Sequence, residues 1–442
     1  MSMLRRLNPF RSLPNAKQVF AWGMYDLANQ SFTLLIITLY FAIDFDRVIA
    51  STPEQGEQLR NLSFAGASLV VVIISPILGA VADFTGKKKL ALNWTCLGCS
   101  LGMIALAFTG PGNIWFAMLV YAFANICFMC GENFLAAFLP EISTRENIGT
   151  VSAIGWTMGY AGALLCLPLS LLIPGMAQEG GPTPGAFRAV FVFSGVWFLL
   201  GAVPTLIWLK EQKAPEKLAP GETLLTVGFV RLASTAKQVG HFRELAKFLV
   251  FFLIYCCGMQ IVIANAGVIA ERYMQGVELV FFIWVLAAVS GAGSVLGGIA
   301  QHRRGLKVTI VASLTVWILT ALGAAALPTT DAHRWHLWLV GIGMGLGLGM
   351  TGTASRALVG VFTPRQRTAE FFSFWGLGYK VAGVVGPFLY AWVVGSSPNG
   401  QRDGMLLVAA TFVIGLVGVL FVRLHRGRAA AEEDEQRHAT RP

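Results

Sequence analysis

The sequence predicts an all-α membrane protein of twelve transmembrane helices arranged as two six-helix halves. Three observations carry this. The 442 residues are 55% hydrophobic and only 13% charged, with a mean hydropathy of +0.64, whereas soluble domains carry about 25% charge. Twelve apolar runs each approach the roughly 20 residues that a bilayer requires. The longest polar stretch, 210–244, falls between the sixth run and the seventh.

The first run, Val19–Ile43, follows a basic N-terminus, Met1 to Lys17. It is too long for the 7–15 apolar residues of a cleavable signal, so it reads as an uncleaved span. Asn61–Ala82, Leu90–Thr109, Ile114–Ala137, Val151–Ile173 and Phe187–Leu209 complete the first half, 1–209. The linker 210–244 opens with charges around Pro215 and Pro220. It continues as a basic amphipathic helix in which Leu224, Leu225, Phe229, Leu232, Val239 and Phe242 alternate with Arg231, Lys237 and Arg243. Such a helix is expected to lie on the membrane surface. The second half, 245–424, holds Leu245–Ala270, Val277–Ala300, Val308–Leu327, His336–Phe362, Ala369–Gly395 and Gly404–Val422, and a charged tail, 425–442, is expected to be disordered. Six plus six around a central linker is the layout of a two-repeat transporter.

A net charge of +10 could suggest nucleic acid as a partner. The charges instead sit in short clusters between apolar runs, so no nucleic acid is expected. Of the 33 Lys and Arg residues, six (Arg47, Arg60, Arg188, Arg272, Arg334, Arg402) fall on one face and Lys380 falls inside a span. The remainder share a side with the termini, which places both termini in the cytoplasm. All seven cysteines lie in apolar segments, including two CxxC pairs, Cys96/Cys99 and Cys127/Cys130. Helix packing explains them better than a metal.

The loop after the second span reads Gly79-Ala-Val-Ala-Asp83-Phe-Thr-Gly86-Lys87-Lys88-Lys89. Gly79 would permit close helix contact, Gly86 a tight turn, and Asp83 a charge pair with the lysines or a neighbouring helix terminus. The matching loop of the second half keeps the spacing, Gly298 to Gly305 and Lys307, but has His302 where the acid stands. Gly347 to Gly352 spells GxGxxG, a dinucleotide fingerprint that needs a strand before it. Inside an apolar span it reads as close helix packing. Neither an ATP-binding loop nor a nucleophile–base set is present, and no enzyme activity or cofactor is expected.

The G-x-x-x-D-x-x-G-[RK]-[RK] loop resembles the signature of the major facilitator superfamily. "AWGMYDLANQSF" (21–32), "FLPEISTRENIGTVSAIGWTMGYAGA" (138–163) and "SRALVGVFTPRQRTAEFFSFWGLGYKVAGVVGP" (355–387) resemble the vacuole effluxer family, the branch named for an autophagy-related fungal protein. The resemblance spans nearly the whole chain and is specific for family, not for substrate. Fungal members are associated with export of amino acids from the vacuole.

Asp26, Tyr25 and Asn29 of the first span, Glu132 and Asn133 of the fourth, Trp156 and Tyr160 of the fifth and Lys380 of the eleventh are the candidates for substrate or proton coupling. An ionised side chain in a span costs several kcal/mol unless it meets water or a partner. By helix rise, Asp26 lies about 10 Å deep, Glu132 at a similar depth from the same side, and Lys380 near the midplane. The resemblance implies that the first, fourth, seventh and tenth spans line a central cavity, which would make Asp26 tolerable there. Each residue has a structural alternative, a hydrogen bond or static ion pair between spans. Arg356 reads as the gate partner of Glu132 or Glu141, with Glu370 close by as a competing acid, alongside the loop residues Gly79, Asp83, Gly86, Lys87, Lys88 and His302. Asn125, Gln260 and Asn265 are weaker candidates. The expectation is a monomeric, proton-coupled secondary transporter of a small polar solute such as an amino acid, in a bacterial inner membrane. A sugar or drug transporter and a non-transporting scaffold are the rival readings.

Overall fold

The computed structural model describes residues 13, 15–144, 148–178, 182–211, 223–327, 334–364 and 368–439. The first span is helix α1 (Ala16–Gln30), a π-helical segment (Ser31–Leu39), α2 (Tyr40–Asp44) and a π turn (Phe45–Ile49). The wider π step is matched by Thr38, whose hydroxyl donates to the Thr33 carbonyl five residues back at 2.9 Å. Spans two to four are α3 (Pro53–Phe84), α4 (Lys88–Leu106) and α5 (Ile114–Ala136). After the short α6 (Leu139–Ile142), α7 (Ile148–Ser170) and α8 (Pro184–Trp208) close the first half. The linker helix is α9 (Leu224–His241). Spans seven to twelve are α10 (Arg243–Glu271), α11 (Gly276–Arg304), α12 (Leu306–Ala325), α13 (Arg334–Phe362), α14 (Thr368–Ser396) and α15 (Gly400–Phe421), followed by α16 (Leu424–Ala439). Ten of these helices are long and apolar enough to cross a bilayer, and Ile154–Ser170 of α7 is a shorter apolar stretch. With the segmented first span they make the twelve-helix fold expected.

The two halves repeat one design at their ends. Gln18, at the start of span one, accepts from the Lys210 N–H at 2.9 Å and donates to the Trp208 carbonyl at 2.8 Å, tying off span six. Glu244, at the start of span seven, accepts from the Arg423 N–H at 2.7 Å, just past span twelve. Lys307 donates to the Leu420 and Val422 carbonyls at 2.7 and 2.9 Å. These bonds satisfy backbone groups that a helix terminus leaves orphaned. One apolar core fills the first half and runs across the seam to Val268, Leu279, Phe282 and Leu337, and a second lies within the second half. The seam runs where α3 packs along α14, α7 against α11, and the π segment along α10.

Three elements depart from expectation. The second span starts at Pro53 rather than Asn61, because Thr52 accepts from the Gln55 N–H at 3.2 Å and Pro53 suits the first turn. The described part of the tail, up to Ala439, is helical rather than disordered. Its Ala- and Glu-rich sequence has high helix propensity, Arg428 pairs with Glu432 one turn on at 2.9 Å, and Gly427 sits against the Phe362 ring. The linker helix buries Val227, Thr235 and Val239, and Gly228 lies against the Pro76 backbone, while Phe229 and Val230 face outward. It leans on the bundle through one face and offers another to its surroundings.

Candidate functional site

Asp26 stands on the face of α1 that meets α7. Close approach there depends on glycine: a Cβ at Gly155 would sit 2.7 Å from Asp26 Oδ2, and one at Gly162 would strike the Leu27 carbonyl. Trp22 donates from its indole to the Leu135 carbonyl at 2.9 Å and fixes α1 on α5. The Asp26 carboxylate is half-buried and receives no hydrogen bond from any described residue. It lies within Coulombic reach of Glu132 and Arg356.

One turn further, Asn29 donates to Glu132 at 2.6 Å and joins spans one and four. The neighbouring Asn133 accepts from the Lys380 ammonium and donates to Ser75 Oγ at 3.4 Å. Spans two, four and eleven therefore meet at one amide. Lys380 lies within Coulombic reach of Glu132, so an acid of the first half and a base of the second act on each other. Asn29, Glu132, Asn133 and Lys380 are the candidates the structure brings together.

Arg356 does not meet Glu132. Its guanidinium donates to Ser152 Oγ at 2.6 Å and lies 5.4 Å over the Trp156 ring and 5.8 Å over Trp375. That bridges the halves through a hydroxyl and two aromatic faces, with Asp26 the carboxylate whose charge acts on it. Trp156 is half-exposed, at 53%, and its ring lies 6.2 Å from Tyr160. The Tyr160 hydroxyl is 3.3 and 3.2 Å from Ser290 and Ser294 of α11. Tyr25 does not join the site. It is fully buried, edge-on to Phe198 with centroids 5.2 Å apart, and its hydroxyl lies against Gly131. Asn125 is also fully buried, and Gln260 donates to the Tyr379 carbonyl at 3.4 Å.

The loop residues are arranged differently from expectation. Gly86 takes φ +61°, and Gly305 of the second copy +89°, so both tight turns need glycine. Gly79, however, has no close neighbour for a Cβ, because the linker helix makes its tight contact at Pro76 instead. Lys88 pairs with Glu141, both side chains 6% exposed, and lies 4.7 Å over the Phe138 ring. Glu141 is thereby engaged inside the first half and does not face Arg356. Lys87 and His302 are exposed. The side chains of Asp83 and Glu370 lie outside the described residues.

At the end of the bundle opposite the termini, the halves are sealed by a buried polar network of which sequence reasoning singled out only Asn265. Arg60, 2% exposed, holds Asp46 with two bonds of 3.1 Å, and donates to the Ala264 carbonyl at 2.8 Å and Asn265 Oδ1 at 3.0 Å. Glu57 accepts from Tyr390 at 2.7 Å and from Arg272 at 3.4 Å, and Arg47 pairs with Glu271 at 2.5 Å. Placing Glu57 and Arg60 in a loop hides them. The Thr52-Pro53 start signal would have put both inside a helix.

The family described as "Vacuole effluxer Atg22 like" matches residues 61–432. The chain is 24% identical over 414 residues to the MFS-type transporter YxiO of Bacillus subtilis, covering 92% of this chain and 95% of the relative. It is 24% identical over 336 residues to autophagy-related protein 22 of Yarrowia lipolytica, covering 70% of this chain and 56% of that one. In fold it is similar to a point mutant of the nucleoside transporter NupG (TM-score 0.68, 13% identity, 92% of this chain and 98% of the other). It is also similar to a point mutant of the peptide transporter POT in complex with alafosfalin (TM-score 0.68, 15% identity, 94% and 95%).

Proposed function

This chain belongs to the Atg22-like vacuole effluxer family of major facilitator fold, and from that premise we propose that it moves a small zwitterionic solute, such as an amino acid, by proton-coupled alternating access. One observation carries the reading. Glu132 of the first half is held by Asn29, and Lys380 of the second is held by Asn133, the residue next to Glu132, so the acid and the base sit in two adjoining hydrogen-bonded pairs, both half-buried. An ammonium and a carboxylate on one solute would find complementary charges there, one on each half, so that binding draws the halves together.

The remaining residues divide the work. Asn29 orients Glu132, and Asn133 orients Lys380. Asp26, which no donor among the described residues reaches, is the second acid open to a solute ammonium or a proton. The polar network around Arg60 closes the far end of the bundle. With both termini in the cytoplasm of a bacterial cell, as the Lys and Arg distribution favours, the far end is periplasmic and the end that exposes Trp156 is cytoplasmic. The chain acts as a monomer among membrane lipids.

The test is uptake and efflux in proteoliposomes, using labelled zwitterionic amino acids beside a pentose and a nucleoside, with and without a pH gradient. Accumulation of a zwitterion driven by the gradient supports the reading. Transport of uncharged solutes alone would overturn it.

A further inference from the structure

We propose that the junction of the linker helix, the seventh span and the tail helix is a binding site for a phosphate-bearing anion, supplied by the headgroup of an anionic phospholipid. A cavity of about 230 Å³ opens there, lined by His241 at the end of α9, Arg243 at the start of α10 and Arg426 on α16. Phe242, Leu245 and Phe362 form its apolar floor, each under 9% exposed.

Among the described residues, no carboxylate pairs with Arg243 or Arg426, and both are exposed. The single acid in the lining, Glu244, is already committed to Lys247 at 2.8 Å and to the Arg423 N–H at 2.7 Å. Two uncompensated guanidiniums over an apolar floor have a defined complement. Guanidinium forks match phosphate oxygens in two-point bonds, and a methylene chain suits the aromatic floor.

The position favours lipid over a soluble anion. Arg243 is the first residue of its spanning helix and Phe362 the last of its own, so the cavity lies where spans end and headgroups begin. The outward Phe229 and Val230 of the same linker helix, 45% and 65% exposed, add apolar surface on that side. A bound phosphodiester would tie linker, bundle and tail together.

Native mass spectrometry of the full-length protein, offered dioleoylphosphatidylglycerol, dioleoylphosphatidylcholine or inorganic phosphate, tests this. The wild type is expected to retain phosphatidylglycerol over phosphatidylcholine. Arg243→Gln with Arg426→Gln should weaken that retention roughly 25-fold, about fivefold for each arginine near the membrane surface. Arg428→Gln, on an exposed residue outside the cavity, should leave it unchanged. The double lysine variant, which keeps both charges but loses the forks, should fall between the wild type and the double glutamine variant and controls for loss of fold. Displacement of the lipid by millimolar phosphate would assign the same site to a soluble anion. Equal retention of both lipids, or equal retention by the double glutamine variant, would overturn the site. None of these readings depends on transport, so they stand apart from the assignment of the solute.

Discussion

Asn61 and Asn265 exchange amide hydrogen bonds in both directions across the seam between the halves, at 2.9 and 3.1 Å. Both side chains are fully buried, and each nitrogen also donates to a carbonyl one turn back in its own helix. The pair is therefore satisfied only while this end is closed. Asn265→Ala strands the Asn61 oxygen and removes a partner of Arg60, at a cost of about 1–3 kcal/mol for a buried unmet polar group. The closed state should lose population by about fivefold or more. A cysteine at Val268, beside the same seam, should then react faster with a membrane-impermeant maleimide. An unchanged rate would show that the amide pair does not set this equilibrium.

A steric wedge should do the same without touching a polar group. Gly267 on α10 lies so near the Thr38 carbonyl that an added Cβ would strike it. The Thr38 hydroxyl meanwhile shares its one proton between the Thr33 carbonyl and, across the seam, the Ile263 carbonyl at 3.0 Å. Gly267→Ala cannot be absorbed by a rotamer, because the obstacle is backbone. It should raise Val268 reactivity while leaving the thermal stability of each half near normal. A large loss of folded protein with no change in labelling would mean that the contact is needed for assembly instead.

The Lys88–Glu141 pair gives a stability prediction. Both side chains are almost wholly buried, so removing one partner leaves an uncompensated charge. That costs about 3–5 kcal/mol, whereas replacing both with apolar groups is often neutral. Glu141→Gln should lower the melting temperature sharply in detergent, and Lys88→Met with Glu141→Met should recover most of the loss. A double variant as unstable as the single one would refute a charge-pairing role.

Much of the bundle is legible from hydropathy, because a bilayer forces apolar runs of fixed length. The central charges are legible too, since Asp26, Glu132 and Lys380 are costly in a span and stand out against it. What sequence does not supply is partner choice. Depth alone puts Arg356 opposite Glu132, but its reach along α13 leads to Ser152 and two tryptophans. Tyr25 lies one residue from Asp26 and so points about 100° away around the helix, into Phe198 rather than toward the fifth span. The far-end network stays hidden for a different reason. Glu57, Arg60 and Asn61 are ordinary polar residues until the second span is begun at Pro53, which makes them successive turns of one helix facing α10 and α14.

The last prediction separates the two acids. Glu132 accepts a hydrogen bond from Asn29 at 2.6 Å, and the side-chain oxygen of glutamine accepts as well as a carboxylate oxygen does. Glu132→Gln therefore keeps the cluster's geometry and deletes only its ability to ionise. If Glu132 carries the coupled proton, the variant should lose accumulation driven by a pH gradient and fall to simple equilibration. Exchange of internal for external solute should persist, because exchange needs no net proton movement. Asp26→Asn is the matched comparison, since Asp26 has no donor among the described residues and depends on water or solute. Loss of solute binding there, with gradient coupling intact in whatever transport remains, would assign Asp26 to the solute ammonium and Glu132 to the proton. The reverse pattern would exchange the two roles. Wild-type accumulation ratios in Glu132→Gln would remove Glu132 from coupling altogether and leave Asn29–Glu132 as a structural link between spans one and four.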